Sequence, residues 1–380
     1  MKKTFFFLLA LTVLTACHQP TESEAVRGLD SICTALFPAD EPGAAVLVMR
    51  GDSVLFDRGY GLADLETRTP IDGNTFFNIA SVSKQFTAVA VLQLAEQGRL
   101  SLNDAVAQYF AYPSALWKEV RIRHLLSHSS GVPDLRGGIP REEKLYATDS
   151  LALAYLPSVT ELHFSPGTNY EYMNPTFVLC GAIVEQVSGQ PFSDYMAEHI
   201  FAPAGMQAFY IADSMDCTSV AHGYEFEDVS DMPEERTASE VSDEPKNWYE
   251  YDLGEETFFA TRPDGGLYTS THEFAKWEKY LRSLIFSDSS NYPWEPRTKV
   301  SGSPWSDYQN RSNTWYGYGW FIEPQTDSTK QVIYHTGDNG GFKILAARYP
   351  EDNALVLVFA NRADWDRYAL MQQIEQLFGF

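Results

Sequence analysis

Asn78-Ile79-Ala80-Ser81-Val82-Ser83-Lys84-Gln85-Phe86-Thr87-Ala88 is the stretch whose reading decides the fold. It sets a Ser-x-x-Lys pair at the head of an apolar run, Thr87 to Ala95, that ends in Glu96-Gln97-Gly98. Gly98 is a good helix stop, because glycine takes the left-handed conformation without a steric penalty. One helix is therefore expected from near Ser81 to near Gln97, apolar on most faces and so buried. Residues three apart share a helix face, which lets Ser81 and Lys84 bring hydroxyl and amine together in the first turn. A serine hydroxyl is a poor nucleophile until a neighbouring base takes its proton. Lysine can be that base when burial or the positive end of a helix lowers its pKa. Backbone N–H groups at a helix start also point at negative charge that develops there. Ser-x-x-Lys alone is a frequent coincidence; here the lysine sits in a buried helix, where a charge is costly unless it has a task.

Working outward, Ala25 to Phe37 has a helical apolar face, and Gly43–Met49 and Val54–Phe56 flank a Gly51-Asp52 turn as a β-hairpin. Beyond Leu100 helices dominate. Val120 to Pro133 reads as a short helix ended by Gly131. Its His124 and His128 are four apart like a metal pair, but no third ligand is near, so a structural role is expected and no metal. Asn169-Tyr170-Glu171-Tyr172-Met173-Asn174 stands before a second apolar helix, Thr176 to Val187, closed by Gly189. Polar groups there fit a site edge, and Asn174 fits equally well as a helix cap. Glu225 to Glu256 is acidic, poor in aliphatics and reads as a surface excursion, its far end packing back through Trp248, Tyr249, Tyr251, Phe258 and Phe259. Pro263 to Ser270 reads as a turn into a short strand, and Thr271 precedes a helix through Leu281. Then come strands at Tyr316–Ile322 and Gln331–His335, a hairpin of Phe342–Tyr349 and Ala354–Asn361, and a helix from Trp365 to Leu377. The expected architecture is α/β of the α+β kind. Both chain ends build one antiparallel sheet flanked by helices, and a helical lobe spans about 100–260, with a cleft between them.

The 380 residues carry a net charge of −23, which argues against nucleic acid as a partner, since phosphate binding needs a basic face. Met1-Lys2-Lys3 followed by an apolar block to Val13 reads as a secretory signal, too short to span a membrane well. Leu14-Thr15-Ala16-Cys17 resembles a bacterial lipobox. That resemblance implies a signal peptide over 1–16, a lipid on Cys17, and a tether plus first helix over 17–40 before the domain at 41–380. The implied place is the bacterial cell envelope, in the periplasm or at the outer membrane. Cys33 and Cys217 are free to pair or not, and Cys180 reads as a buried thiol.

Three elements in order resemble the serine β-lactamase and penicillin-binding protein superfamily, in the branch near class C β-lactamases, DD-peptidases and related esterases. Ser81-Val82-Ser83-Lys84 matches the nucleophile motif, Tyr172-Met173-Asn174 the Tyr-x-Asn element, and His335-Thr336-Gly337 stands where Lys-Thr-Gly is usual. Leu125 to Gly131, Phe164 to Gly167, Pro203 to Met206 and Gly265-Gly266-Leu267 match secondarily, and the likeness runs from about Gly43 to Phe380. It implies an acyl-enzyme on Ser81, with Lys84 helping to deprotonate it. It also implies Tyr172 as a proton shuttle whose pKa Lys84 lowers, and Asn174 binding the substrate amide. The N–H groups of Ser81 and Asp338 would form an oxyanion hole, and Thr336 and Gly337 line the opposite edge. No cofactor is implied, a small molecule or peptide is the expected substrate, and a monomer is the expected state. His335 in place of lysine removes a fixed cation for a substrate carboxylate, because histidine is mostly neutral at pH 7. That departure favours ester, amide or D-amino-acid peptide substrates over efficient β-lactam turnover. Asp338 is read two ways, as a partner for a protonated His335 or for a substrate amine. The competing reading is a catalytically weak or inactive lipid-anchored binding or regulatory protein on the same fold.

Overall fold

The computed structural model describes residues 21–112, 114–134, 148–210, 220–226, 248–250, 261–301 and 313–380. Helix α1 (Glu22–Leu36) leads into β1 (Ala44–Arg50) and β2 (Ser53–Tyr60), the hairpin expected around Gly51, which holds φ +59°. A 3-10 turn, Ala80–Ser83, then opens α2 (Lys84–Glu96), which ends at Gly98 with φ +68°. Further on come α3 (Asn174–Ser188), stopped by Gly189 in the left-handed conformation, and α4 (Thr271–Ser283). Short strands β3 (Thr298–Lys299), β4 (Trp315–Tyr316) and β5 (Phe321–Glu323) precede the long β6 (Val332–Asn339), β7 (Phe342–Tyr349) and β8 (Ala354–Ala360), and α5 (Arg367–Phe378) closes the chain.

These eight strands form one antiparallel sheet in the order β3-β4-β5-β6-β7-β8-β1-β2. β1 pairs with β8, Ala44 opposite Ala360 and Arg50 opposite Ala354, so the two chain ends do meet in one sheet. Alternation along the central strands serves both faces. Val46, Val48, Val356 and Val358 pack under α1 and α5 with Leu29, Cys33, Trp365 and Met371. Ala45, Leu47, Leu357 and Phe359 face the helical body with Phe86, Trp277 and α3. Continuous apolar runs such as Ala354–Ala360 are what a sheet covered on both sides requires. Each fully buried Val or Leu contributes about 1.5–3 kcal/mol.

Three expectations change. Tyr316–Ile322 is not one strand but a hairpin of β4 and β5, Trp315 opposite Ile322, because Gly319 at φ +89° turns the chain between them. The strand read as Gln331–His335 continues to Asn339, since β7 pairs with the whole length and overrides the turn-like Thr-Gly-Asp-Asn composition. The helix at Val120–Pro133 spans only Ile122–Leu126. Most of the acidic excursion, including Tyr251, Phe258 and Phe259, lies outside the described residues. Its ends are a small ribbon, Tyr224–Phe226 with Trp248–Glu250, and the Arg362 guanidinium lies 4.6 Å over the Trp248 ring. The signal segment, Cys17 and Cys217 also lie outside them. Cys33 and Cys180 are buried free thiols.

Candidate active site

Ser81 does not begin an α-helix; it sits in the 3-10 turn ahead of α2. Asn78 Oδ1 accepts the Ala80 N–H at 2.8 Å, and Ile79 N–H donates to Leu267 O at 2.9 Å. These bonds hold Ala80 at φ +46°, a conformation that non-glycine residues rarely keep and that marks functional turns. The tighter turn aims Ser81 and Lys84 at each other. Lys84 is fully buried, and its Nζ lies 2.9 Å from Ser81 Oγ and 2.7 Å from Asp264 O. Asp264 belongs to a one-turn helix, Arg262–Gly265, pinned from below by Thr87 Oγ1 donating to Pro263 O at 2.7 Å. That helix seats closely on α3 because Gly181 has no Cβ: one there would stand 2.2 Å from Pro263 Cγ.

Tyr172 is delivered by two loops laced together. Gly167, Glu171 and His163 donate backbone N–H bonds to Ser129, His128 and Gly131 carbonyls at 2.7, 2.9 and 2.8 Å. His128, fully buried, accepts the Met173 N–H on Nδ1 at 3.1 Å, and its ring lies 4.2 Å from the Tyr172 ring. His124 Nδ1 accepts the Arg121 N–H at 3.2 Å, and burial pushes its pKa down to about 4. Lys84 Nζ lies 5.0 Å from the centre of the Tyr172 ring. The Tyr172 side chain reaches Ser81, but its buried hydroxyl forms no well-shaped hydrogen bond. Burial holds this phenol well above its ordinary pKa, and Ser81 only partly opposes that. Tyr172 is therefore a neutral phenol, and the expectation that Lys84 lowers its pKa is corrected. Asn174 is not the helix cap, which falls on Met173; it is the first helical residue, with its Oδ1 buried and unpartnered.

The opposite wall is β6. A Cβ on Gly337 would lie 2.5 Å from Ile79 O, 2.9 Å from Ala80 Cβ and 3.2 Å from Ser81 N. Only glycine lets this strand close on the turn that carries Ser81. His335 is buried, with Nδ1 2.6 Å from Thr336 O and Nε2 2.9 Å from the Tyr316 hydroxyl. A carbonyl can only accept, so Nδ1 carries the proton and Nε2 accepts from Tyr316. Burial first, then the charges of Lys84 and Arg367, lower the His335 pKa to about 3. The same burial and Lys84 hold His128 well below its ordinary value. Asp338 does not hold His335; its exposed carboxylate pairs with Arg367 of α5.

Ser81, Lys84, Tyr172, His335, Gly337 and Asp338 are thus brought together, with Thr336 on the same strand as His335 and Asn174 two residues beyond Tyr172. Sequence reasoning left out Tyr316, Arg367 and the part His128 plays. Tyr316 and Arg367 sit in no matched motif, and only the fold brings them to His335 and Asp338. His128 did carry a signal, within the matched Leu125–Gly131 segment.

The family model described as Beta-lactamase matches residues 34–377. The chain is 25% identical over 359 residues to penicillin-binding protein 4* of Bacillus subtilis, covering 93% of this chain and 76% of that one. It spans 59% of the length of a staphylococcal relative that it matches at 26% identity. A solved penicillin binding protein from Bacillus halodurans superposes with a TM-score of 0.73 at 26% identity, over 92% of this chain and 99% of that one. The D-amino acid amidase of Ochrobactrum anthropi shares the fold, with a TM-score of 0.69 at 20% identity over 94% and 97% of the two chains.

Proposed function

Because the chain belongs to the Beta-lactamase family of serine hydrolases, we propose that it cleaves amide or ester substrates through an acyl-enzyme on Ser81. The observation that carries this is the 2.9 Å contact between Ser81 Oγ and the buried Lys84 Nζ, within reach for direct proton transfer. Lys84, in its neutral form, takes the Ser81 proton as Oγ attacks the carbonyl carbon. The N–H groups of Ser81 and Asp338 hold the resulting oxyanion. Tyr172, a neutral phenol, gives its proton to the leaving nitrogen or oxygen as that bond breaks, and is recharged from Lys84. Water then attacks the acyl carbon, losing a proton to the same pair, and Ser81 is released. Asn174 Oδ1, buried and unpartnered, accepts a substrate amide N–H.

His335 supports a narrower substrate range. It is neutral, and its Nε2 is taken by Tyr316, so it offers no cation to a substrate carboxylate. Small esters, amides and D-amino-acid peptides suit this cleft better than β-lactams. We place the protein in the cell envelope, held by a lipid on Cys17, on the strength of the leader and Leu-Thr-Ala-Cys sequence.

The test is labelling of the protein from Thr21 onward with a fluorophosphonate probe, Ser81→Ala as control, and a fluorescent penicillin in parallel. Labelling of wild type by the fluorophosphonate and weakly by penicillin is expected. Equal labelling by both overturns the His335 argument. Identical behaviour of wild type and Ser81→Ala overturns the hydrolase reading in favour of a binding protein.

A further inference from the structure

Arg367 is a nearly buried cation outside the motifs that point to the cleft. It is the first residue of α5, and the cap beneath it is firm: Asp366 Oδ1 accepts the N–H groups of Tyr368 and Ala369, both at 2.9 Å. That cap aims the guanidinium across β7 at the back of β6. Nη1 donates to Ile344 O at 3.2 Å and to Gly337 O at 3.4 Å, and Nη2 to the Asp338 carboxylate.

The Gly337 carbonyl and the Asp338 N–H are two ends of one peptide unit. A positive charge at the carbonyl end draws electron density along that unit and makes its N–H a stronger donor, as chained hydrogen bonds do in a low-dielectric interior. The contact at 3.4 Å is long for a hydrogen bond, so the charge does more than the bond itself. Asp338 on the other side keeps the guanidinium from turning away. We propose that Arg367 is a positioning residue for the oxyanion hole, orienting and polarising the Gly337–Asp338 peptide from behind the strand. This rests on the acyl-enzyme reading above. Arg367 touches no substrate: it is enclosed, and its donors are engaged by the strand.

The experiment uses p-nitrophenyl acetate carrying carbon-13 at its carbonyl, on wild type, Arg367→Lys and Arg367→Met. The burst of p-nitrophenolate gives the acylation rate, and isotope-edited infrared spectra of the acetyl-enzyme report polarisation of its carbonyl. Removing a whole oxyanion donor slows catalysis about 10²–10³-fold, so weakening one is expected to slow acylation about tenfold in Arg367→Met. The acyl carbonyl stretch should move to higher wavenumber, KM should change little, and Arg367→Lys should recover most of both. An unshifted stretch in folded Arg367→Met overturns the proposal, whatever its melting temperature, because a purely structural role would lower stability and leave the carbonyl as it was. Equal rate losses in both variants also overturn it. A wild type without a burst or adduct overturns the acyl-enzyme reading and this proposal together, an outcome distinct from the other two.

Discussion

Gly337→Ala probes the geometry of the cleft without removing a reactive group. The new methyl would stand 2.5 Å from Ile79 O, 2.9 Å from Ala80 Cβ and 3.2 Å from Ser81 N. A carbon and a carbonyl oxygen settle at about 3.3 Å or more, so β6 and the Ser81 turn must separate by about 0.8 Å. Neither side yields easily. Ile79 N–H is tied to Leu267 O, and Gly337 lies mid-strand, opposite Ile344. Overpacking of this kind lowers stability by about 1–3 kcal/mol. The functional effect should be larger, because the gap opens between the two N–H groups that hold the oxyanion, and a misplacement near 1 Å lowers rate about 10²-fold. The assay is the second-order rate of fluorophosphonate labelling, beside a urea titration. A labelling rate within threefold of wild type, in a protein of unchanged stability, would refute the argument that β6 and the Ser81 turn form one wall.

Other substitutions separate the remaining roles. Lys84→Met should slow fluorophosphonate labelling about 10³-fold with the protein still folded, since it removes the base but keeps the volume; labelling at wild-type speed would assign the base elsewhere. His128→Phe keeps the ring on Tyr172 but leaves the Met173 N–H without its acceptor, lowering stability by about 1–3 kcal/mol and slowing labelling about tenfold; unchanged stability would show that this bond counts for little. The buried histidines set an acid limit. His335 has a folded pKa near 3 against an ordinary 6.5, so between those values the unfolded chain binds the proton and the native protein does not. Stability therefore falls as pH drops below about 6.5, by about 2 kcal/mol at pH 5 from this residue alone. Asp149, raised by burial to about 6, works in the opposite direction. The difference between urea titrations of wild type and His335→Gln at pH 7.5 and pH 5 isolates the histidine, and a difference independent of pH would contradict a neutral His335.

What was legible in the sequence followed from local chemistry. Gly51, Gly98 and Gly189 ended elements where the chain needed a left-handed residue, and apolar runs on either side of them gave the hairpin, α2 and α3. The Ser81–Lys84 pairing was legible as a spacing, but not its cause, a 3-10 turn fixed by the neighbouring Asn78 and by Leu267 from far along the chain. The failures have the same origin. Tyr316–Ile322 is uniformly apolar and aromatic, so nothing but the conformation of Gly319 shows that it doubles back. Thr336 to Asn339 has turn composition, yet pairing with β7 draws it straight. The pKa of Tyr172 was misjudged because a nearby lysine is visible in sequence, whereas burial of its hydroxyl, with the ring packed among His128, Tyr316 and Phe321, is not.

Enclosure also explains the charge pattern of the cleft. Lys84, His128 and His335 are buried close to one another, and burial together with the Lys84 charge holds both histidines neutral. A second cation there would be repelled by Lys84, whose charge already opposes protonation of both histidines. Tyr316 stabilises the neutral form further, since its hydroxyl donates to the unprotonated Nε2 and has nothing to gain from an imidazolium. An anionic substrate group entering beside β6 thus meets a phenol ring and a neutral imidazole, while Lys84 is turned toward Ser81 and the Asp264 carbonyl. On the hydrolase reading proposed above, a carboxylate-bearing substrate would have to be held by uncharged contacts, through Asn174, the strand edge and the aromatic walls. Exchange of His335 for lysine alone would not restore carboxylate binding, because the Tyr316 hydroxyl and ring would still occupy the space in front of it; that change requires a smaller residue at position 316 as well.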